Sequence, residues 1–213
     1  MPTEASYKIR TRNRSVFLRV SKGHFATNHS HINYYIDVST QKTRLSEAQS
    51  VARELVSYYN NTTIIDSILC LDGTQVIGTC LAEELTRENF VSVNAHKTIY
   101  ILTPEHTSGS QIIFRDGLQS AVKGKHVLIL AASVTTGYTA KAAVEAIKYY
   151  GGEVAGISSI FATVDECMGY RVASVFDPKD LEDYESYASH ECPMCKAGQK
   201  IDALVNSFGY SKL

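Results

Sequence analysis

Strands that read as continuous apolar runs, alternating with helix-spaced segments, predict an α/β fold: a mainly parallel sheet covered by helices on both faces. Two stretches carry that prediction. Ile64 to Leu71 is a mostly apolar run with β-branched residues that ends in Asp72-Gly73-Thr74 and passes into helical spacing at Val76, Ile77, Cys80, Leu81 and Leu85. His126 to Leu130 repeats the pattern, followed by small and hydroxyl residues through Thr139 and a second helix from Ala140 to Tyr150, closed by Gly151-Gly152. With 213 residues, 44% of them apolar, the chain is long enough for one core, and the absence of repeats or a linker predicts a single domain.

The remaining elements follow in order. Val16 to Val20 and Ile32 to Val38 read as strands flanking a polar, histidine-bearing stretch, and residues 1–44 form a small hood over the sheet's end. From Leu45, the positions Ala48, Val51, Ala52, Leu55, Val56 and Tyr59 recur at helical spacing, with Ser46 and Gln49 as a capping box. Thr98 to Leu102 reads as a strand, Thr103 to Ser110 as a mobile loop and Gln111 to Phe114 as a short strand. Val154 to Phe161 and Tyr170 to Phe176 complete an α/β core over 45–176, leaving 177–213 as a tail.

Charge and cysteine content narrow the function classes. Lys plus Arg number 21 against 22 Asp plus Glu, so no overall field favours nucleic acid, and an anionic ligand must be caught locally. The longest apolar run, Val127 to Ala132, falls far short of the roughly 20 residues that span a bilayer. Lys8, Arg10, Arg12 and Arg14 have no apolar segment behind them, which predicts neither a secretory signal nor a lipid anchor. Five cysteines, an odd number, argue against a disulfide framework and for a reduced, cytoplasmic setting.

The segment VLILAASVTTGYT, residues 127–139, occupies the place where ligands collect in an open parallel sheet, beyond a strand's carboxyl end. Ser133, Thr135, Thr136, Gly137, Tyr138 and Thr139 offer hydroxyls, successive backbone N–H groups and a glycine able to turn the chain. The dipole of the following helix favours an anion there, so the loop suits a phosphomonoester; a threonine-rich helix cap without a ligand is the plainer reading of the same residues.

This string resembles the phosphoribosyl pyrophosphate signature of the type I phosphoribosyltransferases, in which four apolar residues, two acids and two variable positions precede Thr-Thr-Gly-x-Thr. The hydroxyl half matches; Ala131 and Ala132 stand where the family carries the acidic pair that binds the ribose hydroxyls. By order of elements the resemblance runs from about residue 20 to 165 and is to the orotate phosphoribosyltransferases. It implies a phosphoribosyltransferase-like core, nucleotide metabolism (pyrimidine biosynthesis) as the setting, Mg²⁺ with phosphoribosyl pyrophosphate, a phosphorylated ribose or nucleotide ligand and a homodimer. Within Gly23 to Asp37, GHFATNHSHINYYID resembles the stretch that folds over the base, with Tyr34 and Tyr35 as the aromatic pair; His24, His29 and His31 are either anion contacts or solvated loop residues. Asp72, Gly73 and Thr74 take the place of the pyrophosphate loop, with the aspartate an unexpected charge, and Thr103 to Gly117 that of the closing catalytic loop, for which Lys97, His106 and Arg115 are the candidates. Two readings result: transfer of ribose 5-phosphate to a pyrimidine base, or a regulatory nucleotide sensor that keeps only the 5′-phosphate site.

The tail holds a CxxC preceded by a histidine: His190, Cys192 and Cys195. Three zinc ligands would need a fourth from Cys167, another histidine or a symmetry mate; a redox dithiol and inert thiols are the other readings.

Overall fold

A computed structural model of the chain describes residues 6–11, 15–59, 62–87, 93–95, 97–108, 111–206 and 209–213. Arg12 and Arg14 of the basic N-terminal stretch, and Gly109 and Ser110 of the expected loop, lie outside the described residues. The strands are β1 Tyr7–Arg10, β2 Phe17–Ala26, β3 His31–Asp37, β4 Ser67–Cys70, β5 Tyr100–Leu102, β6 Glu105–His106, β7 Ile112–Ile113, β8 His126–Val134, β9 Glu153–Ala162, β10 Glu166–Cys167, β11 Tyr170–Phe176, β12 Ser186–Tyr187, β13 Ala203–Asn206 and β14 Gly209–Lys212. The helices are α1 Ser39–Thr43, α2 Leu45–Val56, α3 Gln75–Thr86, α4 Asp116–Gln119, α5 Tyr138–Tyr149 and α6 Pro193–Lys196.

The chain forms two compact units, residues 41–175 and residues 1–40 with 176–213. Where the sequence suggests one domain with a separate hood and tail, the structure joins those two segments in one sheet, ordered β12-β3-β2-β13-β14 with β1 on β2. The expected polar stretch between the first strands is shorter than predicted: β2 runs on to Ala26, and only the turn at Thr27 to Ser30, where Thr27 N–H bonds Ser30 O at 2.8 Å, separates it from β3. A register shift between Lys22 and Phe25 marks a bulge in β2.

The other unit is the α/β core. Its sheet runs β10-β11-β9-β8-β4-β5, and β4 pairs in parallel with both β5 and β8, while β8 pairs in parallel with β9. Alternation along the strands assigns the faces. Leu69, Ile129 and Ala131 join Ala143, Val144 and Ile147 of α5 in one apolar cluster. On the opposite face, a Cβ at Gly78 of α3 would run into Cys70 Sγ and lie near Ile68 and Leu130, so only glycine lets α3 approach that closely. Both faces are therefore covered, as the apolar strands predict.

One local expectation fails. No side chain caps α2, whose N-cap is Arg44; Ser50 Oγ instead donates to Ser46 O at 3.0 Å, so the capping box does not form. The stretch Thr103 to Ser110, read as a loop, contains β6, which pairs with β7 inside the short strand expected at Gln111 to Phe114; Thr107 N–H bonds Gln111 O at 2.9 Å, and α4 follows. The α5 stop is as read: Gly152 N–H bonds Ile147 O at 2.9 Å and Gly151 N–H bonds Lys148 O at 3.0 Å.

Candidate functional site

Strand order locates the site. The chain leaves β4 through α3 to β5 on one side, and later lays β8 on the other, so the sheet's winding reverses between β4 and β8. In such sheets ligands bind outside the carboxyl ends of the two strands flanking that reversal. Here those ends carry the Asp72-Gly73 turn and the Thr135–Thr139 loop, tied by Leu71 N–H to Leu130 O at 2.8 Å.

The loop after β8 turns at Gly137, whose φ of +74° is left-handed, and α5 starts at the next residue. Its internal bonds use carbonyls: Thr163 Oγ1 donates to Thr135 O at 2.8 Å, and Lys141 N–H to Gly137 O at 2.8 Å. Among the described residues, the amides of Thr135, Thr136 and Gly137 have no protein acceptor. Ser133, Thr136 and Thr139 are exposed, as is Tyr138, while Thr135 and Gly137 are partly so. N–H groups of the first turn of α5, beyond reach of any helical carbonyl, add to a concave set of donors with the helix dipole behind it. The arrangement suits an oxyanion.

The turn after β4 behaves differently from expectation. Thr74 is fully buried; its hydroxyl donates to Leu71 O at 2.8 Å and contacts Leu130 O at 3.0 Å, and its N–H bonds Leu71 O at 3.1 Å. It closes the turn and joins β4 to β8, which corrects the assignment of Thr74 to a pyrophosphate contact. Asp72 holds a left-handed φ of +54° beside Gly73 at +78°. Burial pushes the Asp72 carboxyl above the ordinary carboxylate range, against the Ala132 N–H, Lys42 and His106, which all favour its charged form. The carboxylate therefore lies on the Ala132 amide, one of the two positions where the resemblance leads one to expect an acid. Ala131 packs instead in the α5-side core, 1% exposed, and cannot face a ribose. A strained, half-buried carboxylate at a strand tip is the sort of feature folds retain for function.

Lys42 escaped the sequence reading. Its ammonium donates to Asp72 O at 2.9 Å, placing a cation over the turn. Nothing in the Gln41-Lys42-Thr43 string signals this, because the contact spans 30 residues and depends on α1 meeting β4's end. Of the three predicted catalytic residues, His106 lies close enough to bias Asp72. Arg115 is held by Glu105, at 2.7 Å from Nε and 2.5 Å from an Nη, a bidentate pair that occupies its guanidinium. Lys97 is exposed, its N–H bonded to Asn94 O at 3.1 Å, and no bond joins it to Asp72, Lys42 or His106 among the described residues.

The tyrosine pair belongs to the other unit's own interior, a correction to its proposed place beside a base. Tyr34 is fully buried, donates to Glu182 O at 2.6 Å and meets Tyr7 Oη at 3.1 Å. Tyr35 packs 5.9 Å from Phe25 and 5.0 Å from Tyr210, ring centre to ring centre, and burial pushes its hydroxyl up to about 12. Of the loop histidines, His29 is exposed in the turn, while His24 and His31 meet Cys192 and Cys195. His190 does not join them: it is exposed and lies 3.6 Å from Glu191.

No protein-family model matches the chain. It is 28% identical over 183 residues to an orotate phosphoribosyltransferase of Chlorobaculum parvum, covering 85% of this chain and 86% of that protein. The fold is similar to that of the UMP synthase of Leishmania donovani, with a TM-score of 0.55 and 21% identity over 76% of this chain and 34% of that one. It is also similar to the orotate phosphoribosyltransferase of Mycobacterium tuberculosis, with a TM-score of 0.51 and 20% identity over 77% and 92% of the two chains. In sequence the chain is thus similar to orotate phosphoribosyltransferases, and in fold it is similar to solved phosphoribosyltransferase structures.

Proposed function

We propose that the protein binds a 5-phosphorylated ribose at the tips of β4 and β8 and acts as a phosphoribosyltransferase of the orotate type. The observation that carries this reading is the Thr135–Thr139 turn, bent at Gly137 at the reversal point of the sheet, where among the described residues the amides of Thr135, Thr136 and Gly137 have no protein acceptor. In the reaction so proposed, the bond from ribose C1 to pyrophosphate breaks and a bond from C1 to a base nitrogen forms. The amides and hydroxyls of the turn anchor the 5′-phosphate, and that anchoring holds C1 in place. Asp72 takes over hydrogen bonding to the sugar from the acidic pair that Ala131 and Ala132 replace, acting from the neighbouring strand tip. Lys42 and His106 offset its charge and that of the departing pyrophosphate. An aspartate oxygen beside a diphosphate is a fitting donor for Mg²⁺, which binds through one or two carboxylates plus phosphates and supplies charge neutralisation. Swinging Arg115 away from Glu105 would free a second cation for the leaving group, as closure of a hairpin lid requires.

A second reading, a nucleotide sensor without turnover, draws support from the same alanines: Ala131 is sealed in an apolar core and offers the ribose nothing. The two readings part in one assay. Orotate and phosphoribosyl pyrophosphate with Mg²⁺ are mixed with the protein while orotate absorbance and pyrophosphate release are followed. Stoichiometric loss of one with release of the other supports the transferase; binding of ribose 5-phosphate with no turnover supports the sensor; neither binding nor turnover rejects both.

A further inference from the structure

The polar cluster of the smaller unit, built from residues 6–40 and 176–213, owes nothing to the phosphate site and has its own chemistry. His24 on β2, His31 at the start of β3, and Cys192 and Cys195 around α6 bring four ligand atoms within 4.8 Å of one another. His24 Nε2 lies 3.1 Å from His31 Nδ1 and 3.6 Å from each sulfur, and Cys195 Sγ lies 3.2 Å from His31 Nδ1. A tetrahedral zinc with Zn–S near 2.3 Å and Zn–N near 2.0–2.1 Å has ligand-to-ligand edges of about 3.3–3.8 Å. Four of the six edges lie within a few tenths of an ångström of that tetrahedron, and the other two are no longer than 4.8 Å. We propose that His24, His31, Cys192 and Cys195 bind a structural Zn²⁺ ion.

The local chemistry prepares each ligand. His24 Nδ1 faces Gln199 O at 3.0 Å. A carbonyl only accepts, so Nδ1 carries the proton and Nε2 turns a lone pair to the cluster, the outer-shell device common in zinc sites. That carbonyl comes from the same turn as the sulfurs: Lys196 N–H bonds Cys192 O at 3.1 Å, and Gln199 N–H bonds Met194 O at 2.9 Å. The backbone at His24 is fixed as well, its N–H donating to Asp202 Oδ2 at 2.8 Å and its carbonyl accepting from Asp202 N–H at 2.7 Å. Across the turn, His31 pairs with Ala26 on β2 and with Tyr187 on β12. His24 and Cys192 are fully buried and His31 nearly so, while Cys195 is exposed and leaves an entry path.

Four protein ligands close the coordination shell and leave no open position, so the role is structural, not catalytic. Two sulfurs and two imidazoles select zinc among the common divalent ions. The staple would join residues 164 to 171 positions apart. It does so in the smaller unit, beside the apolar cluster of Phe25, Ile32, Ala203 and Val205, where a metal would add to the packing of a small fold.

The test uses the full-length chain and zinc and cobalt salts. Protein purified without chelator should contain one zinc per chain by elemental analysis. Exchange into Co²⁺ should give the intense visible bands and sulfur-to-cobalt charge transfer of a tetrahedral thiolate site. Loss of an outer-shell partner typically costs 10–100-fold in metal affinity, so Cys195→Ser, at the exposed ligand, should cost at least about 100-fold in competition with a chelating dye. His190→Ala should leave zinc affinity unchanged. Chelation should lower the melting temperature of the wild type and leave the Cys195→Ser protein unaffected. Protein that holds no zinc after purification and after reconstitution, an octahedral cobalt spectrum, or a Cys192–Cys195 disulfide in fresh protein would overturn the assignment. If Cys195→Ser fails to fold, protection of both thiols from alkylation by zinc in the wild type decides the matter: protection supports the site, and equal labelling with and without zinc rejects it.

Discussion

Replacing Gly137 by alanine perturbs the phosphate turn at the one residue whose backbone defines it. At φ +74° an L side chain costs about 1–2 kcal/mol, and its Cβ would stand 3.3 Å from Cys167 Sγ, so the thiol must also give way. For a chain of this size that strain lowers the melting temperature by about 2–8 °C. Relief is available only by rotating the peptide, which turns N–H groups away from the anion. Each charge-assisted bond lost costs about 1.5–3 kcal/mol, or roughly 10- to 150-fold in Kd. Calorimetric titration with ribose 5-phosphate measures the affinity, and a melt of the same preparation measures the strain. Gly124→Ala is the control: its φ is +66°, nothing lies within 4 Å of the added Cβ, and it sits in the turn leading into β8, at that strand's other end. Both variants should lose comparable stability, and only Gly137→Ala should lose affinity. Equal Kd for the wild type and Gly137→Ala would show that these amides do not hold the phosphate.

Three other outcomes follow from the same geometry. The Asp72 carboxyl, raised by burial, holds its proton more tightly folded than unfolded, so its contribution to stability is complete below the ordinary carboxylate range and lost as pH rises through its folded value. Asp72→Asn should therefore melt above the wild type at neutral pH, with the gap closing in acid, while affinity for phosphoribosyl pyrophosphate with Mg²⁺ falls; an unchanged melt at neutral pH contradicts this. Asp66 has the opposite sign: burial opposes its charge, but the His126 N–H and ring, both at 2.9 Å, outweigh it and hold the carboxyl below the ordinary range. Its contribution is present above the ordinary carboxylate range and lost as pH falls through the folded value, so Asp66→Ala should cost about 1–3 kcal/mol in urea unfolding at pH 7 and progressively less in acid. Glu105→Gln releases the exposed Arg115. Melting should barely move and pyrophosphate should bind more tightly in a competition titration; unchanged binding places Arg115 outside the site.

The sheet was legible because burial on both faces leaves its mark on every strand residue: Ile64 to Leu71 and His126 to Leu130 have no polar alternation to mislead. The phosphate turn was legible because it is local, a glycine and three threonines within five residues. What sequence could not show was anything made by contacts distant along the chain. Thr74 looked like a ligand residue and proved to be a buried strut, because its acceptor on β8 is 56 residues away. Lys42 and Asp72 meet across 30 residues. The CxxC was visible, yet its nearest histidine was not the one it meets, since His24 and His31 come from a hairpin 164 to 171 residues upstream and are aimed by β2 and β3. Tyr34 and Tyr35 are adjacent aromatic residues in any reading, and only the strands packed around them decide that they serve the interior.

Amide chemical shifts of uniformly ¹⁵N-labelled protein, followed while ribose 5-phosphate is titrated in, test the phosphate turn most directly. Saturable downfield movement of the Thr135, Thr136, Gly137 and Thr139 N–H resonances, with little change elsewhere in β8, is the predicted result. If those four resonances stay fixed while others respond, or if nothing responds at millimolar ligand, the turn is a helix cap and the ligand class falls with it.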